Sequence, residues 1–340
     1  MQQILTYTFL VFYTVTILSI VLVIITDNRN PLKTLPWIIV LVFAPVVGLV
    51  FYFFFGQNLS KRRIISRRTR RRITMQLEEA RDTGRPEIPE EHRRLAALLY
   101  STTHSVALYG SRITPYTDGR SKMEALLAEI ARAKHHIHIQ YYIFCDDETG
   151  RRLRDALVEK VRQGVEVRIL YDDVGCSGVK KDFFEGMRRE GIEVFSFLHV
   201  KFPLFTSKVN YRNHRKIAVI DGRVGFIGGM NVADRYVRGT GWGSWRDTHF
   251  RIEGSGAAGL QVSFLSDWSA TTKQHITGAA YFPQSERHAE NILQIVPSGP
   301  FGQWRALLQA DSYAVSNARR RIWIQTPYYL PSGVLNTALQ

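Results

Sequence analysis

Two long runs of apolar residues without a charged side chain constrain this chain more than any other feature of its sequence. The first run covers residues 4–26 and the second covers residues 37–55. A bilayer core about 30 Å thick needs roughly 20 helical residues, so each run is long enough to cross it. The sequence therefore predicts two transmembrane helices. Pro45 is tolerated inside the second helix, where it can kink the backbone.

A cleaved signal peptide and a pair of buried helices are the alternatives to two transmembrane helices. The residues before the first run carry no cationic side chain, and no small-x-small cleavage pattern follows Thr26. Both observations argue against a signal peptide. Apolar runs of this length without a charge also argue against helices of a soluble core. We therefore interpret residues 1–58 as a membrane anchor.

The distribution of cations predicts the orientation of this anchor. Eight of the twelve residues from Lys61 to Arg72 are cationic, whereas the loop between the two runs holds only Arg29 and Lys33. The positive-inside rule places the basic run in the cytoplasm, together with the N-terminus and everything that follows the run. The whole chain has a formal charge of +15. This charge predicts an anionic partner, and a position beside a membrane span favours a lipid surface over nucleic acid.

Beyond a connector that covers residues 59–104, strands alternate with helices. This order predicts an α/β sandwich with a mixed sheet over residues 105–290. Two cysteines, Cys145 and Cys176, exclude a disulfide scaffold and a four-cysteine zinc site. The predicted helices cover residues 121–133, 151–163 and 180–190, and the predicted strands cover residues 136–144, 165–171, 192–197 and 216–220.

One motif carries recognisable chemistry. His214, Lys216 and Asp221 form the pattern HxKxxxxD, and Gly-Gly-Met-Asn follows six residues after the aspartate. A histidine beside a lysine at the mouth of a strand suits phosphate: the imidazole attacks phosphorus and the ammonium stabilises the phosphoryl oxygens. Asn231 can donate an amide hydrogen bond to the same oxygens. Asp221 lies beyond the strand, where it is better placed to fix the turn than to transfer a proton.

Two other histidine patterns are weaker candidates. His199 and Lys201 also form HxK, but neither the aspartate nor the GGxN sequence follows, so we interpret them as part of a loop. His136 and His138 share one face of a predicted strand, but the sequence places no acidic or cysteine ligand at a suitable spacing. The sequence therefore predicts no metal site there.

At the HxKxxxxD motif the chain resembles the phospholipase D superfamily, and elsewhere it is similar to bacterial cardiolipin synthases. The resemblance implies a phospholipase D-like lobe behind two transmembrane helices in the inner membrane. It also implies phosphatidyl transfer between two phosphatidylglycerol molecules, which gives cardiolipin and glycerol without a metal or other cofactor. The segments that carry the second similarity are residues 28–37, 45–56, 141–144, 210–216, 245–249, 267–268, 297–300 and 326–329.

The resemblance assigns a role to each candidate site residue. His214 is implied as the nucleophile, with Lys216 and Asn231 as phosphate-binding residues and Asp221 as the third member of the catalytic motif. Asp247 matches an acidic residue that orients the histidine ring in relatives. Related enzymes carry a second motif whose histidine protonates the departing glycerol and deprotonates the incoming hydroxyl.

The sequence departs from this family pattern because it contains a single HxKxxxxD motif. Residues 137–140 and 322–325 match at an offset of 185 positions, which makes an internal duplication plausible and places a second motif near position 399. We therefore expect residues 291–340 to be the incomplete start of a second lobe in a truncated copy, with negligible turnover. The alternative is that two copies pair their single motifs. In the truncated copy, a strand over residues 321–326 would have an unpaired edge, and this edge would promote self-association.

Two further functions remain open at this point. A phospholipase or nuclease could use the same site, with water or nucleic acid in place of the lipid alcohol. A catalytically silent membrane scaffold is the third hypothesis, if a second motif never existed. The two predicted membrane spans favour a lipid substrate, and nothing in this interpretation requires nucleic acid.

Overall fold

The computed structural model describes residues 1–27, 31–52, 56, 66–79, 87–197, 212–299, 305–326 and 328–340. The chain divides into two compact units, one containing the first three helices and the other containing the helices and strands from Arg67 onward. The helices in the described ranges are α1 (Gln2–Asp27), α2 (Pro31–Phe43), α3 (Pro45–Phe51), α4 (Arg67–Glu79), α5 (Glu90–Thr103), α6 (Gly119–Arg132), α7 (Glu148–Arg162), α8 (Lys181–Arg189), α9 (Asp234–Arg238), α10 (Ser255–Thr272), α11 (Ala306–Ser316) and α12 (Gly333–Leu339).

The first unit contains one helix that could cross a membrane by its length and composition, as far as the described residues go. This is α1, whose stretch Gln3–Leu22 is apolar over 20 residues. The second apolar run does not form one continuous helix, because α2 ends at Phe43 and α3 begins at Pro45. Proline has no N–H for the helical hydrogen bond, and its ring clashes with the preceding turn. The second membrane crossing therefore stays a prediction.

The second unit is built on a seven-stranded mixed sheet, which confirms the predicted α/β sandwich. The strands of the described ranges are β1 (Leu108–Tyr109), β2 (Arg112–Tyr116), β3 (His136–Tyr141), β4 (Glu166–Asp172), β5 (Glu193–Phe197), β6 (Lys216–Ile220), β7 (Val224–Gly228), β8 (His249–Glu253) and β9 (Ile292–Leu293). The strand order in the sheet is β2-β8-β7-β6-β3-β4-β5. The β3-β4 and β4-β5 pairs are parallel and the other pairs of this sheet are antiparallel.

Helices cover both faces of this sheet. Helices α6, α7 and α8 bury their apolar sides on one face, in a core that includes alternate residues of β3, β4 and β6. Helix α10 lies on the other face, where Phe264 and Trp268 are fully buried. Burial of apolar area on both faces explains why β6 is buried along its whole length instead of alternating with polar residues.

The basic connector is packed against the sandwich. Helix α4 contributes Ile73 and Leu77 to the core around α10, where they are only 2% and 4% exposed. The connector contains two separate helices in the described ranges: α4 ends at Glu79 and α5 begins at Glu90. Residues 80–86, which include Gly84 and Pro86, lie outside the described residues.

The C-terminal segment differs from its prediction in one respect. Helix α11 forms over Ala306–Ser316, but the strand predicted over residues 321–326 is not formed, so that prediction was wrong. Ile322 and Ile324 are 41% and 49% exposed there. A strand in water is stable only when it is paired and packed, and this segment pairs with no neighbour among the described residues.

Candidate active site

The start of β6 brings the histidine and the lysine of the motif to one end of the sheet. His214 comes two residues before β6, and Lys216 is the first residue of the strand, paired with Tyr141 at the end of β3. Strand β4 ends beside them at Asp172. The site therefore lies at the carboxyl ends of parallel strands, where open α/β sheets bind their ligands.

The His214 imidazole is exposed and rests on an aromatic ring. Its ring centroid lies 3.9 Å from that of Tyr142, with an angle of 25° between the two planes. Partial burial and the neighbouring Lys216 lower the pKa of His214, and Asp172 opposes this shift. A lowered pKa keeps the imidazole neutral near pH 7, so a ring nitrogen has a lone pair available for attack on phosphorus.

Lys216 provides the positive charge beside this imidazole. Its side chain is buried, with the residue 8% exposed, and its Nζ donates to the backbone oxygen of His214. Nζ also lies 5.3 Å from the ring centroid of Tyr142. Burial lowers the pKa of Lys216 to about 8, while the nearby carboxylates of Asp247 and Asp172 act in the opposite direction. The structure therefore brings His214 and Lys216 together, as the motif predicts.

Asp172 holds the loop that carries His214, a role that the sequence analysis missed. Its Oδ2 accepts a hydrogen bond of 3.0 Å from the backbone N–H of Asn213. Its Oδ1 accepts hydrogen bonds of 3.0 Å from the backbone N–H groups of Val174 and Gly175. The sequence does contain a signal for this role. Asp172 directly follows the strand predicted over residues 165–171, and parallel sheets bind their ligands at the ends of such strands.

Asp267 fixes the same loop from α10, which lies on the sheet face opposite to α6, α7 and α8. Its Oδ2 accepts hydrogen bonds from Gln140 Nε2 at 2.7 Å, Asn213 Nδ2 at 2.8 Å and Arg215 Nη1 at 2.8 Å. Charge-assisted hydrogen bonds of this kind are stronger than neutral ones. The residues on both sides of His214, Asn213 and Arg215, are therefore anchored by the same carboxylate.

The two glycines of the GGxN sequence make room for the start of β8. A Cβ atom on Gly229 would lie 2.1 Å from Oδ1 of Asp247, and one on Gly228 would lie 2.4 Å from the Cα atom of His249. Both distances are shorter than real Cβ contacts. The segment that carries Asp247 can approach β7 closely only because positions 228 and 229 are glycines. A larger residue at either position would collide with that segment.

Asp247 lies on the lysine side of the site. Its Oδ1 accepts a hydrogen bond of 2.7 Å from the backbone N–H of Thr248. It is close enough to Lys216 to oppose the fall in the pKa of that lysine. The hydrogen bonds of the described residues do not join Asp247 to His214, and the ring-orienting role of Asp247 stays a prediction.

The Asn231 amide is already held by two protein groups. Its Oδ1 accepts a hydrogen bond of 3.0 Å from the backbone N–H of Ile143, and its Nδ2 donates to the Tyr236 hydroxyl at 2.7 Å. An amide nitrogen carries two N–H groups, so one N–H is left for a phosphoryl oxygen. The two contacts fix the direction in which that N–H points.

The structure does not bring Asp221 to the other candidate residues. Asp221 follows the last residue of β6, and the five-residue strand puts about 17 Å between it and the site. Its carboxylate accepts hydrogen bonds of 2.8, 2.8 and 2.9 Å from the backbone N–H groups of Lys134, His135 and His136. Asp221 therefore anchors the start of β3, and its membership of the catalytic set stays a prediction.

The remaining histidine patterns lie away from the site. His136 and His138 are fully buried, and both rings contact the side-chain amide of Gln261, at 3.2 Å and 3.1 Å. No group of three histidine, cysteine or acidic side chains that could hold a metal occurs in the part of the chain described by the structure. The HxK sequence at His199 and Lys201 lies outside the described residues.

Comparisons with known proteins match the chain over nearly its whole length. Residues 126–242 match a family described as cardiolipin synthase, PLD-like domain, and residues 12–57 match a phospholipase D-nuclease N-terminal family. The chain is 36% identical to the major cardiolipin synthase of Bacillus subtilis, covering 97% of this chain and 71% of the relative. It is also 36% identical to a cardiolipin synthase of Alkalihalophilus pseudofirmus, covering 97% of this chain and 67% of that protein.

Two solved structures resemble the described fold more distantly. Nuc, a phospholipase D family member from Salmonella typhimurium, is 17% identical with a TM-score of 0.36, covering 48% of this chain and 96% of that chain. The phosphatidylserine synthase of Haemophilus influenzae is 16% identical with a TM-score of 0.40, covering 53% of this chain and 41% of that chain.

Proposed function

The chain belongs to the bacterial cardiolipin synthases of the phospholipase D superfamily, and from this premise we propose that His214 is the residue that carries the phosphatidyl group. The protein is a phosphatidyltransferase that acts on phospholipid and makes cardiolipin. The observation that carries the assignment of His214 is its exposed imidazole, which is stacked on Tyr142 beside the buried ammonium of Lys216.

The proposed reaction has two displacements at phosphorus. In the first, a nitrogen of His214 attacks the phosphorus of one phosphatidylglycerol, a P–N bond forms, and the P–O bond to the glycerol headgroup breaks. The departing oxygen takes a proton and leaves as glycerol. In the second, a headgroup hydroxyl of another phosphatidylglycerol loses its proton, attacks phosphorus and breaks the P–N bond, which frees His214 and gives cardiolipin.

Lys216 and Asn231 stabilise the phosphoryl oxygens during both displacements in this proposal. The ammonium of Lys216 is desolvated, so its attraction for an anionic oxygen is stronger than that of a lysine in water. The free N–H of Asn231 points in a direction fixed by Ile143 and Tyr236. Neither group needs to reorganise when the charge on phosphorus is redistributed.

The proton donor for the departing glycerol is proposed to be the histidine of a second HxKxxxxD motif. The 340 residues contain one such motif. A second copy of this chain or a second lobe carrying the same motif would supply the acid. General acid–base assistance of this kind contributes about 10² to 10⁴-fold to a rate.

We further propose that the enzyme crosses the membrane twice and works in the cytoplasm. Helix α1 supplies one crossing, residues 37–55 the other, and the basic run from Lys61 to Arg72 lies on the cytoplasmic side. The proposed organisation is an anchor at residues 1–58, a basic connector at residues 59–104, a catalytic lobe at residues 105–290 and the beginning of a second lobe at residues 291–340.

The topology proposal predicts where a reporter will be active. Alkaline phosphatase fused after Arg72 is expected to be inactive, because it folds only in the periplasm, whereas a cytoplasmic fluorescent reporter at the same place should be bright. A fusion within residues 28–30, between the two apolar runs, is the matched control and should give the opposite pair of signals. Periplasmic activity after Arg72 would overturn the assigned orientation.

The two shifted pKa values predict a bell-shaped pH profile for kcat/KM. Activity should rise as pH increases through the lowered pKa of His214, because only the neutral imidazole attacks phosphorus. It should fall as pH increases through about 8, where Lys216 loses its proton and its charge. Lys216→Arg should remove the alkaline decline, since arginine stays protonated. An unchanged alkaline limb in that variant would exclude Lys216 as its source.

The reaction itself is tested with membranes that contain phosphatidylglycerol labelled in its phosphate. Transfer gives labelled cardiolipin, hydrolysis gives labelled phosphatidic acid, and a silent scaffold gives neither. We expect cardiolipin as the main product when His214 is completed by a second motif. Phosphatidic acid alone would identify a phospholipase, and complete absence of turnover under that condition would favour the scaffold.

A further inference from the structure

A short turn over residues 240–243 presents a tryptophan to solvent at its tip. Thr240 and Gly243 exchange two backbone hydrogen bonds, of 2.8 Å and 3.0 Å. The backbone N–H of Trp242 donates to the hydroxyl of Thr240 at 3.3 Å. The side chain of Trp242 is fully exposed. Because an indole has a large apolar surface, its exposure on a hydrogen-bonded turn indicates a partner outside this unit.

This segment, which we call the Trp242 turn, lies at the end of the sheet that carries the candidate active site. It belongs to the loop between α9 and β8, and β8 begins at His249. His249 pairs with Gly228, the last residue of β7, and β7 runs antiparallel to β6. The end of β7 and the beginning of β8 therefore lie level with the start of β6 at Lys216. The loop leaves the sheet at the same end as His214.

Two contacts connect the loop to the amide that is proposed to bind phosphate. The ring centroid of Trp245 lies 5.2 Å from that of Tyr236 on α9. The hydroxyl of Tyr236 accepts a hydrogen bond of 2.7 Å from Nδ2 of Asn231. The loop that bears the Trp242 turn thus packs on the residue that fixes Asn231. The turn is a rim of the candidate active site.

The surface around the Trp242 turn is basic as well as aromatic. Residues 235–246 contain three arginines and no acidic residue. The guanidinium carbon of Arg235 lies 5.8 Å from the ring centroid of Trp245. Arg246 is exposed, whereas Arg238 pairs with Glu148. Tryptophan rings prefer the headgroup level of a bilayer, and cationic side chains are attracted to anionic headgroups. The surface therefore suits an anionic bilayer.

The substrate also identifies a bilayer as the partner of this surface. The enzyme acts on phospholipid, whose phosphate lies at the headgroup level of a membrane. If the acyl chains stay in the bilayer, the end of the sheet that carries His214 must reach that level, which is also the level that tryptophan prefers. A protein partner is disfavoured, because a stable protein interface buries about 800 Å² on each side, far more than a four-residue turn offers.

We propose that the Trp242 turn is a membrane-docking element: the indole of Trp242 inserts among the headgroups of an anionic bilayer, and Arg235 and Arg246 contact their phosphates. This contact holds the candidate active site at the depth of the substrate phosphate. The inference rests on the proposed function, since it takes the His214 end of the sheet as the end that receives lipid. The proposed anchor keeps the protein at the membrane, and the Trp242 turn orients the catalytic unit on it.

Quenching of tryptophan fluorescence by brominated lipid tests this contact without any turnover. The full chain is placed in vesicles of phosphatidylglycerol and phosphatidylcholine, and subtraction of the Trp242→Phe spectrum isolates the emission of Trp242. We expect phosphatidylcholine brominated near the top of its acyl chains to reduce this emission about twofold or more, and iodide in the water to leave it nearly unchanged. Quenching by iodide and not by brominated lipid would overturn the docking element.

The matched control moves the tryptophan to the opposite end of the sheet. Lys134 is exposed and lies just before β3, beside the carboxylate of Asp221. Lys134→Trp is added to Trp242→Phe, and the emission of the new ring is obtained by the same subtraction. We expect iodide to quench it and brominated lipid to leave it unchanged. Equal quenching of both rings by brominated lipid would refute a contact specific to the Trp242 turn.

The form of the substrate separates docking from chemistry. In the enzyme completed by a second motif, Trp242→Gln should lower kcat/KM about tenfold for long-chain phosphatidylglycerol in vesicles. It should leave kcat/KM unchanged for dihexanoyl phosphatidylglycerol below its micelle concentration, because a monomeric substrate needs no bilayer contact. If the ratio of the two values stays that of the unchanged protein, the orienting role is refuted. Absence of cardiolipin from the unchanged protein, with Trp242 still quenched by brominated lipid, would count against the proposed function and not against docking.

Discussion

Replacing His214 by alanine is expected to abolish formation of the covalent phosphatidyl-enzyme. The imidazole is the nucleophile of the proposed mechanism, and the other groups of the site, Lys216 and Asn231, have no lone pair available to replace it at neutral pH. Loss of a nucleophile typically removes about 10⁴-fold or more of the rate. The intermediate is measured by quenching the enzyme in alkali after brief contact with phosphate-labelled phosphatidylglycerol, because a P–N bond survives alkali better than acid.

The matched control is His275→Ala, which removes an exposed histidine of the same unit away from β6. It should trap as much labelled protein as the unchanged enzyme. Loss of label in His214→Ala should persist when a second lobe carrying its own HxKxxxxD motif completes the site, because the partner histidine acts on the leaving group. Label retained at normal yield in His214→Ala would remove this residue from the nucleophilic role.

The parts of the fold that were predictable are those whose signal is local. The alternation of residues 216–220, the turn glycines Gly164 and Gly191, and the helical spacing of residues 121–133 all depend on neighbours a few positions away. Strand β6, the ends of α7 and α8, and helix α6 follow these signals closely. The motif spacing is local too, so the approach of His214 to Lys216 could be predicted from the strand that follows them.

The groups that hold the site in place were not predictable, because each acts across a large separation in sequence. Asp267 binds Arg215 across 52 positions, and Asp172 binds the backbone of Asn213 across 41 positions. Neither contact leaves a local pattern. Tyr142 was part of a recognised segment, but only the fold shows that its ring supports His214.

One incorrect expectation and one untested expectation concern segments whose composition favours a single regular element. Residues 321–326 have strand-like alternation, but alternation reports only which side could be buried, and no paired strand is present among the described residues. In the second apolar run, hydrophobicity favours one long helix, whereas α2 ends at Phe43 and α3 begins at Pro45; the second membrane crossing stays a prediction. Tertiary partners and backbone geometry decide both places, and composition reports neither.

We expect Asp221 to have a structural role and not a catalytic one. Its replacement by alanine should therefore chiefly reduce the free energy of unfolding. The carboxylate accepts three backbone hydrogen bonds at the start of β3, and the residue itself has a φ of 52°. Alanine removes the acceptors and adds the cost of a left-handed backbone, about 1–2 kcal/mol. Together with lost charge-assisted hydrogen bonds, we expect about 3 kcal/mol of destabilisation.

Thermal unfolding followed by intrinsic fluorescence in detergent measures this effect. A loss of about 3 kcal/mol corresponds to a fall in Tm of roughly 6–12 °C for a unit of this size. Asp221→Asn is the matched control, because asparagine tolerates the left-handed region and keeps one acceptor oxygen. It should lose less than half as much stability as the alanine variant.

The two roles are distinguished by the activity of the variant while it is still folded, below its unfolding temperature. If Asp221 only anchors β3, the folded Asp221→Ala protein should still form the phosphatidyl-enzyme within a few-fold of the unchanged rate. A catalytic aspartate would show the reverse pattern, with Tm nearly unchanged and the intermediate lost. The three backbone amides on this carboxylate and the full length of β6 between it and His214 favour the first outcome. The aspartate of the HxKxxxxD motif would then act on the site only through the position of β3, whose far end carries Tyr141 opposite Lys216.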